Sequence, residues 1–321
     1  MDARREAWER IDARYDPRVL EPSPPYVPEP PWFADDPVAP GPGPSETVVS
    51  PVGNTGLSWS ELVAAEPDLG DWCAERWLAA WPRLEAPPAS FPTTRLALHS
   101  LAEHVLAPAR RSSNGKIGLR FTRAGFGTPF FGAGKQARVE GSELVVDHGG
   151  WEERAPLSTL QEAAAFVGIE CGARPDLYEP TTPLYPEETL HVDETAARWL
   201  GEWFGFGCSV LEQLRAEVHA AGKPSRVQLW PEHFDMAVEL NDPTGAHRAG
   251  YGISPGEDEH EDPYLYVVPW SPCDDDWWNA SHFDGALLDL KVVLDASDQR
   301  AMALDFFRTS RRVLGETGAG S

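Results

Sequence analysis

From about residue 93 onward, apolar and polar positions follow one order of elements that occurs twice. In the first run, Leu98, Leu101 and Val105 form a single stripe at helical spacing within residues 94–109. The stretch "IGLRFT" follows, with Ile117, Leu119 and Phe121 alternating with Gly118, Arg120 and Thr122, the period of a strand. Four more short strand-like stretches, "FGTPFF", "QARVE", "ELVVD" and "EERAPLS", are separated by turn residues such as Gly141 and Ser142. A helix at "TLQEAAAFVG" closes the run, with Ser158 or Thr159 as N-cap.

The second run opens with a helix over 195–219, whose buried face is marked by Trp199, Trp203, Val210, Leu214 and Val218. Five strand-like stretches come next: "RVQLW", "FDMAVEL", "HRAGYGIS", "PYLYVVPW" and "GALLDLKVVL". A helix at "DQRAMALDFFRTSRRVL", capped by Ser297 or Asp298, ends it. Short strands joined by Gly-rich turns pair mainly antiparallel, so the pattern predicts an α+β fold. It consists of two pseudo-repeated units, 93–168 and 193–315, each a helix, about five strands and a helix. Residue identity between the halves is negligible, so the repeat rests on element order alone. A Pro-rich, irregular connection over 169–192 joins the units.

Residues 1–57 break the pattern. Their prolines sustain neither a helix nor a central strand, which predicts an extended arm. Residues 58–92 form a Trp-rich helical extension, with a capping box from Ser58 to Glu61 and with Trp77 and Trp81 on one face. Residues 316–321 read as a flexible tail.

Charge narrows the range of partners. The 321-residue chain carries 51 acidic and 27 basic residues, a net charge of −24, which repels nucleic-acid phosphates and anionic membranes. No apolar run is long enough to span a bilayer, and the charged N-terminus is not a secretory signal. The four cysteines, at 73, 171, 208 and 273, lack metal-site or CxxC spacing and read as reduced thiols, so a cytoplasmic protein is expected. Scarce Lys, Ile and Asn beside abundant Ala, Gly and Pro suggest a GC-rich bacterial genome.

Four stretches carry candidate chemistry. In "LWPEHFDMAVEL", Pro231 predicts a turn, and alternation sets Asp235 and Glu239 on the sheet face opposite Phe234, Met236, Val238 and Leu240. Asp235 is then either a solvated strand residue or, with His233 and Trp230, the lining of a cleft. His99 and Glu103 share a helix face at i, i+4 and offer two metal ligands of the three that a catalytic zinc needs. The loop "GEDEHEDP" reads as a solvated acidic surface rather than a calcium site. In "CDDDWWNASHFD", Trp277 and Trp278 either stack on a planar ligand or plug a core edge. No GxSxG, GxxxxGK[ST] or GxGxxG signature is present, and no cofactor is indicated.

Trp230, Phe234, Asp235 and Ala237, followed by Gly252, Pro255 and Gly256 and then Tyr264 and Tyr266, resemble the C-terminal signature of an uncharacterised bacterial family, a domain of unknown function. Leu98, His99 and Glu103, then Leu119, Thr122, Gly125, Thr128 and Pro129, are similar to its N-terminal half, with Glu in place of Gln at 103 and Asp in place of Pro at 262. The resemblance spans roughly residues 95–315 and implies relatedness and the element order, but no activity.

These readings place a small-molecule or catalytic site in the groove between the units. His99, His233 and Asp235 are the candidate proton-transfer groups, and Arg120, Thr122, Trp230 and Tyr251 the candidate ligand contacts. Two alternatives stand beside this one: an interaction module that docks through the Trp-rich extension, and a metal-dependent enzyme using His99 and Glu103.

Overall fold

The computed structural model describes residues 81–317 apart from 116, 123–124, 130–134, 149–150, 174–177, 223–224, 226, 241–246, 272 and 274, together with 49–50, 53–54, 71–72 and 75–76. Most of the expected arm at 1–57, the Ser58–Glu61 capping box, Trp77 and the last four residues therefore lie outside the described residues.

The first helix is interrupted from within. Helix α1 (Phe91–Leu101) runs into a π-helical turn, Ala102–Leu106, and continues as α2 (Ala107–Asn114). Pro108 supplies a local reason. It has no N–H to give the carbonyl four residues back, and its ring crowds that carbonyl. That carbonyl belongs to His104, and it accepts instead from the Gly172 N–H at 2.9 Å. The interruption thus ties the helix to the connection that follows the first unit.

Two five-stranded antiparallel sheets follow, each a meander in chain order. The first contains β1 (Arg120–Thr122), β2 (Gly125–Gly127), β3 (Lys135–Glu140), β4 (Glu143–His148) and β5 (Glu152–Pro156). Helix α3 (Leu160–Val167) closes it, and the Thr159 side chain caps it by accepting from the Glu162 N–H at 3.1 Å. The second sheet contains β6 (Gln228–Trp230), β7 (Asp235–Leu240), β8 (Ala249–Ser254), β9 (Tyr264–Pro269) and β10 (Ala286–Asp289). Long helix α4 (Glu194–Gly222) precedes it, and α5 (Leu290–Asp295) and α6 (Gln299–Thr317) follow. Asp298 caps α6 by accepting from the Ala301 N–H at 2.9 Å. The class is α+β, as the patterning predicts.

One strand expectation needs correction. "GALLDLKVVL" is a strand only to Asp289; Leu290 starts a short helix that buries Leu290 and Val293. A short apolar run has no period that separates the two states, and the i, i+3 burial decides for helix here.

The sheets meet edge to edge. Leu119 and Leu229 form an antiparallel bridge, each N–H donating to the other's carbonyl at 2.7 and 2.9 Å. Helix α4 lies across this seam and packs on β1, β2, β7 and β8. Gly205 and Gly207 permit that double contact from opposite sides of the helix: a Cβ at 205 would sit 2.3 Å from the Trp81 ring, and one at 207 would sit 2.0 Å from Ile253 Cδ1. One apolar core runs through both sheets and the helices between them. Met236, Val238, Tyr251, Ile253, Leu265 and Val267 face it from the second sheet. The opposite face of that sheet is also covered, by a smaller cluster of Trp230, Ala237, Tyr264, Tyr266 and Phe283.

Candidate functional site

The turn between β6 and β7 organises the site. Trp230 and Asp235 pair across the hairpin, and residues 231–234 form the loop. Phe234 closes it at φ 51°, the only positive φ outside glycine among the described residues. A bulky side chain in that region is strained and needs strong packing to hold it. Phe234 is buried edge-on against Phe126 and Phe204 and lies parallel to the His99 imidazole at 5.1 Å. His99 Nε2 donates to the Pro231 carbonyl at 2.9 Å, so helix α1 and the turn hold one another.

Around this turn three carboxyl groups are buried together: Glu103 at 0% exposure, Glu232 at 3% and Asp235 at 3%. Glu103, on the π-helical turn, is well satisfied. It accepts from the Thr181 N–H at 3.0 Å, the Thr182 N–H at 2.8 Å and the Thr182 hydroxyl at 2.5 Å. Burial pushes its pKa up, and these hydrogen bonds oppose the shift. Asp235 Oδ2 accepts from the Tyr266 hydroxyl. Glu232 differs: its buried Oε2 has no hydrogen-bond partner. Burial pushes its carboxyl up to about 8, against one hydrogen bond from its own backbone and with Asp235 and Glu103 adding repulsion. It therefore holds a proton near neutral pH.

Burial disfavours the charged form of two histidines on the same cluster, His99 and His104. Burial holds His99 down to about 3, despite the Pro231 hydrogen bond, with His233, Arg95 and His104 also disfavouring its charge. His104 Nδ1 accepts from the Ala173 N–H at 3.1 Å, and its Nε2 lies 3.0 Å from the Thr182 carbonyl, which fixes the Nε2–H tautomer. The Tyr178 phenol is pushed up by burial and by the nearby Glu232 and Glu103 carboxyls.

Three of the residues singled out in the sequence, His99, His233 and Asp235, thus gather at the turn, with Trp230 opposite Asp235. Asp235 is not solvated, because both faces of the second sheet are covered. Arg120 and Thr122 lie on β1, at the edge of the other sheet. Arg120 Nε donates to the Phe121 carbonyl at 3.0 Å, and Thr122 is buried. Tyr251 stands apart: it belongs to the core face of β8, packed on Phe307, whereas Asp235 lies on the other face.

Other stretches have structural work of their own. His99 and Glu103 approach to 3.9 Å, but His99 Nε2 is engaged by Pro231 and Glu103 by the two threonines. Among the described residues, no group of three His, Cys, Asp or Glu side chains is arranged to hold a metal ion. Trp277 packs on Phe306 and donates to Ser310 Oγ at 2.9 Å, and Trp278 also packs on the main core. In the acidic loop, Asp258, Glu259, Glu261 and Asp262 are exposed. Sequence reasoning passed over Glu232, His104 and Tyr178, and it met Tyr266 only within the family signature, not as a site residue. A glutamate in a polar turn signals nothing by itself, and its burial depends on partners more than 50 residues away.

No protein-family model, no curated protein and no solved structure matches this chain. No helix among the described residues is long and apolar enough to cross a membrane.

Proposed function

We propose that this protein binds a small molecule bearing a basic nitrogen at the buried turn between β6 and β7, and exchanges a proton with it through Glu232. The observation that carries this reading is the Glu232 carboxyl, buried with one oxygen unpartnered beside two further buried carboxyls. An unsatisfied buried acid is costly unless something completes it. A cationic group entering there turns the mutual repulsion of three acids into attraction, and Glu232 releases its proton. Half-buried His99, His233 and Tyr178 form the outer layer through which such a group approaches. His99 then acts as a positioning residue, because its Nε2–H already holds the turn. An interaction module acting through the Trp-rich extension has less support, since Trp72 and Trp81 pack inward on the core. Cys171, Cys208 and Cys273 form no disulfide with one another, which accords with a cytoplasmic setting.

Benzamidine and a series of small amines test the reading by NMR. Saturable shifts of the His99 and Tyr178 resonances are expected in the native protein. They should be absent in Glu232→Gln and absent with neutral benzamide. The reading is dropped if the cations leave these resonances unmoved and Glu232 titrates in the ordinary carboxylate range.

A further inference from the structure

A cavity of about 370 Å³ lies on the other side of the second sheet from the β6–β7 turn, where α4 and α6 meet β7 and β8. Its character is opposite to that of the chain as a whole. Arg308, Arg311 and Arg312 line it from one face of α6, against one carboxylate among the described lining residues, Glu217. Glu217 is already engaged: Arg308 donates to both of its oxygens, at 3.1 and 2.6 Å. Asp305, outside the cavity, also faces Arg308, at 3.7 Å. Arg311 is exposed and makes no ion pair or hydrogen bond among the described residues. Leu214 and Leu240 supply apolar wall, and His247 lies at the rim.

The floor is Tyr251, 1% exposed. Its hydroxyl has no hydrogen-bond partner among the described residues, although a buried phenol ordinarily finds one. Arg311 is close enough to act on it electrostatically. The Arg311 guanidinium and the Tyr251 phenol O–H are both donors, and among the described lining residues no acid is left to accept from them. In a chain of net charge −24, a cavity with this excess of cations is a local reversal of the surrounding field.

We infer that this cavity is a binding site for a small organic monoanion: its carboxylate group takes hydrogen bonds from Arg311 and the Tyr251 hydroxyl, and its apolar body rests on Leu214 and Leu240. The site is separate from the β6–β7 turn and does not depend on it. A volume of this size accommodates an aromatic acid, and a charge-assisted pair with guanidinium supplies the orientation.

Titration with benzoate in low-chloride buffer, followed through the Tyr251 and Arg311 resonances, tests the assignment. Saturable binding at millimolar concentration is expected. Arg311→Gln should weaken it by about tenfold, the loss of one charge-assisted contact. Tyr251→Phe should weaken it several-fold, and Glu232→Gln should leave it unchanged. Arg311 is on the surface, so its substitution leaves folding intact. The assignment is overturned if benzoate shows no saturable binding, or if Arg311→Gln binds it as well as the native protein. Equal binding of neutral benzamide overturns the role of charge, and equal binding of inorganic phosphate overturns the role of the apolar wall.

Discussion

At the scale of single residues, the buried acid and the buried base titrate in opposite senses. Glu232 is raised from 4.5 to about 8 and His99 is lowered from 6.5 to about 3. Between 4.5 and 8 the folded state keeps a proton on Glu232 that the unfolded chain has released, so this group's contribution to stability falls as pH rises. Between 3 and 6.5 the unfolded chain binds a proton that His99 refuses, so the second contribution rises with pH. The two oppose one another below 6.5, and above it only Glu232 of this pair contributes. Denaturant unfolding of the native protein should therefore lose stability from pH 6.5 to 8, with a slope of up to roughly 1.4 kcal/mol per pH unit. Glu232→Gln should flatten that segment. An equal slope in the variant would show that Glu232 is not the group responsible. The alternation of "FDMAVEL" made the core face of β7 legible in the sequence, but not the cover on its other face. Tyr266 and Trp230 come from other strands, and no local period reports them. Tyr251, read from the sequence as a ligand contact of the same groove, lies instead on the core face, because strand alternation does not say which face a sheet buries.

At the scale of elements, helix α4 sets the spacing. Its 29 residues extend about 43 Å, enough to cross both sheets. Gly205 lets the Trp81 ring lie directly on the helix, and Trp81 in turn meets Trp72 and Phe121 at 6.1 and 6.3 Å. Alanine at 205 gains intrinsic helix propensity, about 1 kcal/mol, but its methyl must displace an indole. The overlap at 2.3 Å decides the sign: Gly205→Ala should destabilise by roughly 1–2 kcal/mol net. Gly315→Ala, with nothing within 4 Å of the new methyl, should be neutral or slightly stabilising. Thermal unfolding of the two variants makes the comparison, and equal effects would show that Trp81 does not pack as described. The long helices were readable from the sequence because their stripes and caps are local signals, although the first runs on to Asn114 rather than ending at 109 and α5 was read as strand. The π-helical turn was only half readable: Pro108 marks a disturbance, but its resolution depends on Gly172, far along the chain.

At the scale of the whole molecule, the seam joins what the patterning presents as two units. The Leu119–Leu229 bridge is made of backbone groups, which carry no side-chain signature, so nothing in the sequence announces it. A single core passes beneath it, and the halves should unfold together. Hydrogen exchange should find the Leu119 and Leu229 amides among the slowest, and fluorescence and circular dichroism should report one coincident transition. Two separated transitions would mean that the seam is not cooperative. Joining two meanders edge to edge also bears on how these two sheets meet solvent, because among their described strands β5 and β10 form the outer borders. A free border invites pairing with another chain. On β5 the side chains are mostly exposed, and Arg154 bridges Glu140 at 2.8 Å and Glu152 at 2.9 Å, a charged fringe. On β10 the Asn279 amide imitates a neighbouring strand, accepting from the Leu287 N–H at 2.8 Å and donating to its carbonyl at 3.2 Å. A charged fringe on β5 and a side chain paired with the backbone of Leu287 on β10 are both devices that discourage copies from stringing together into fibres.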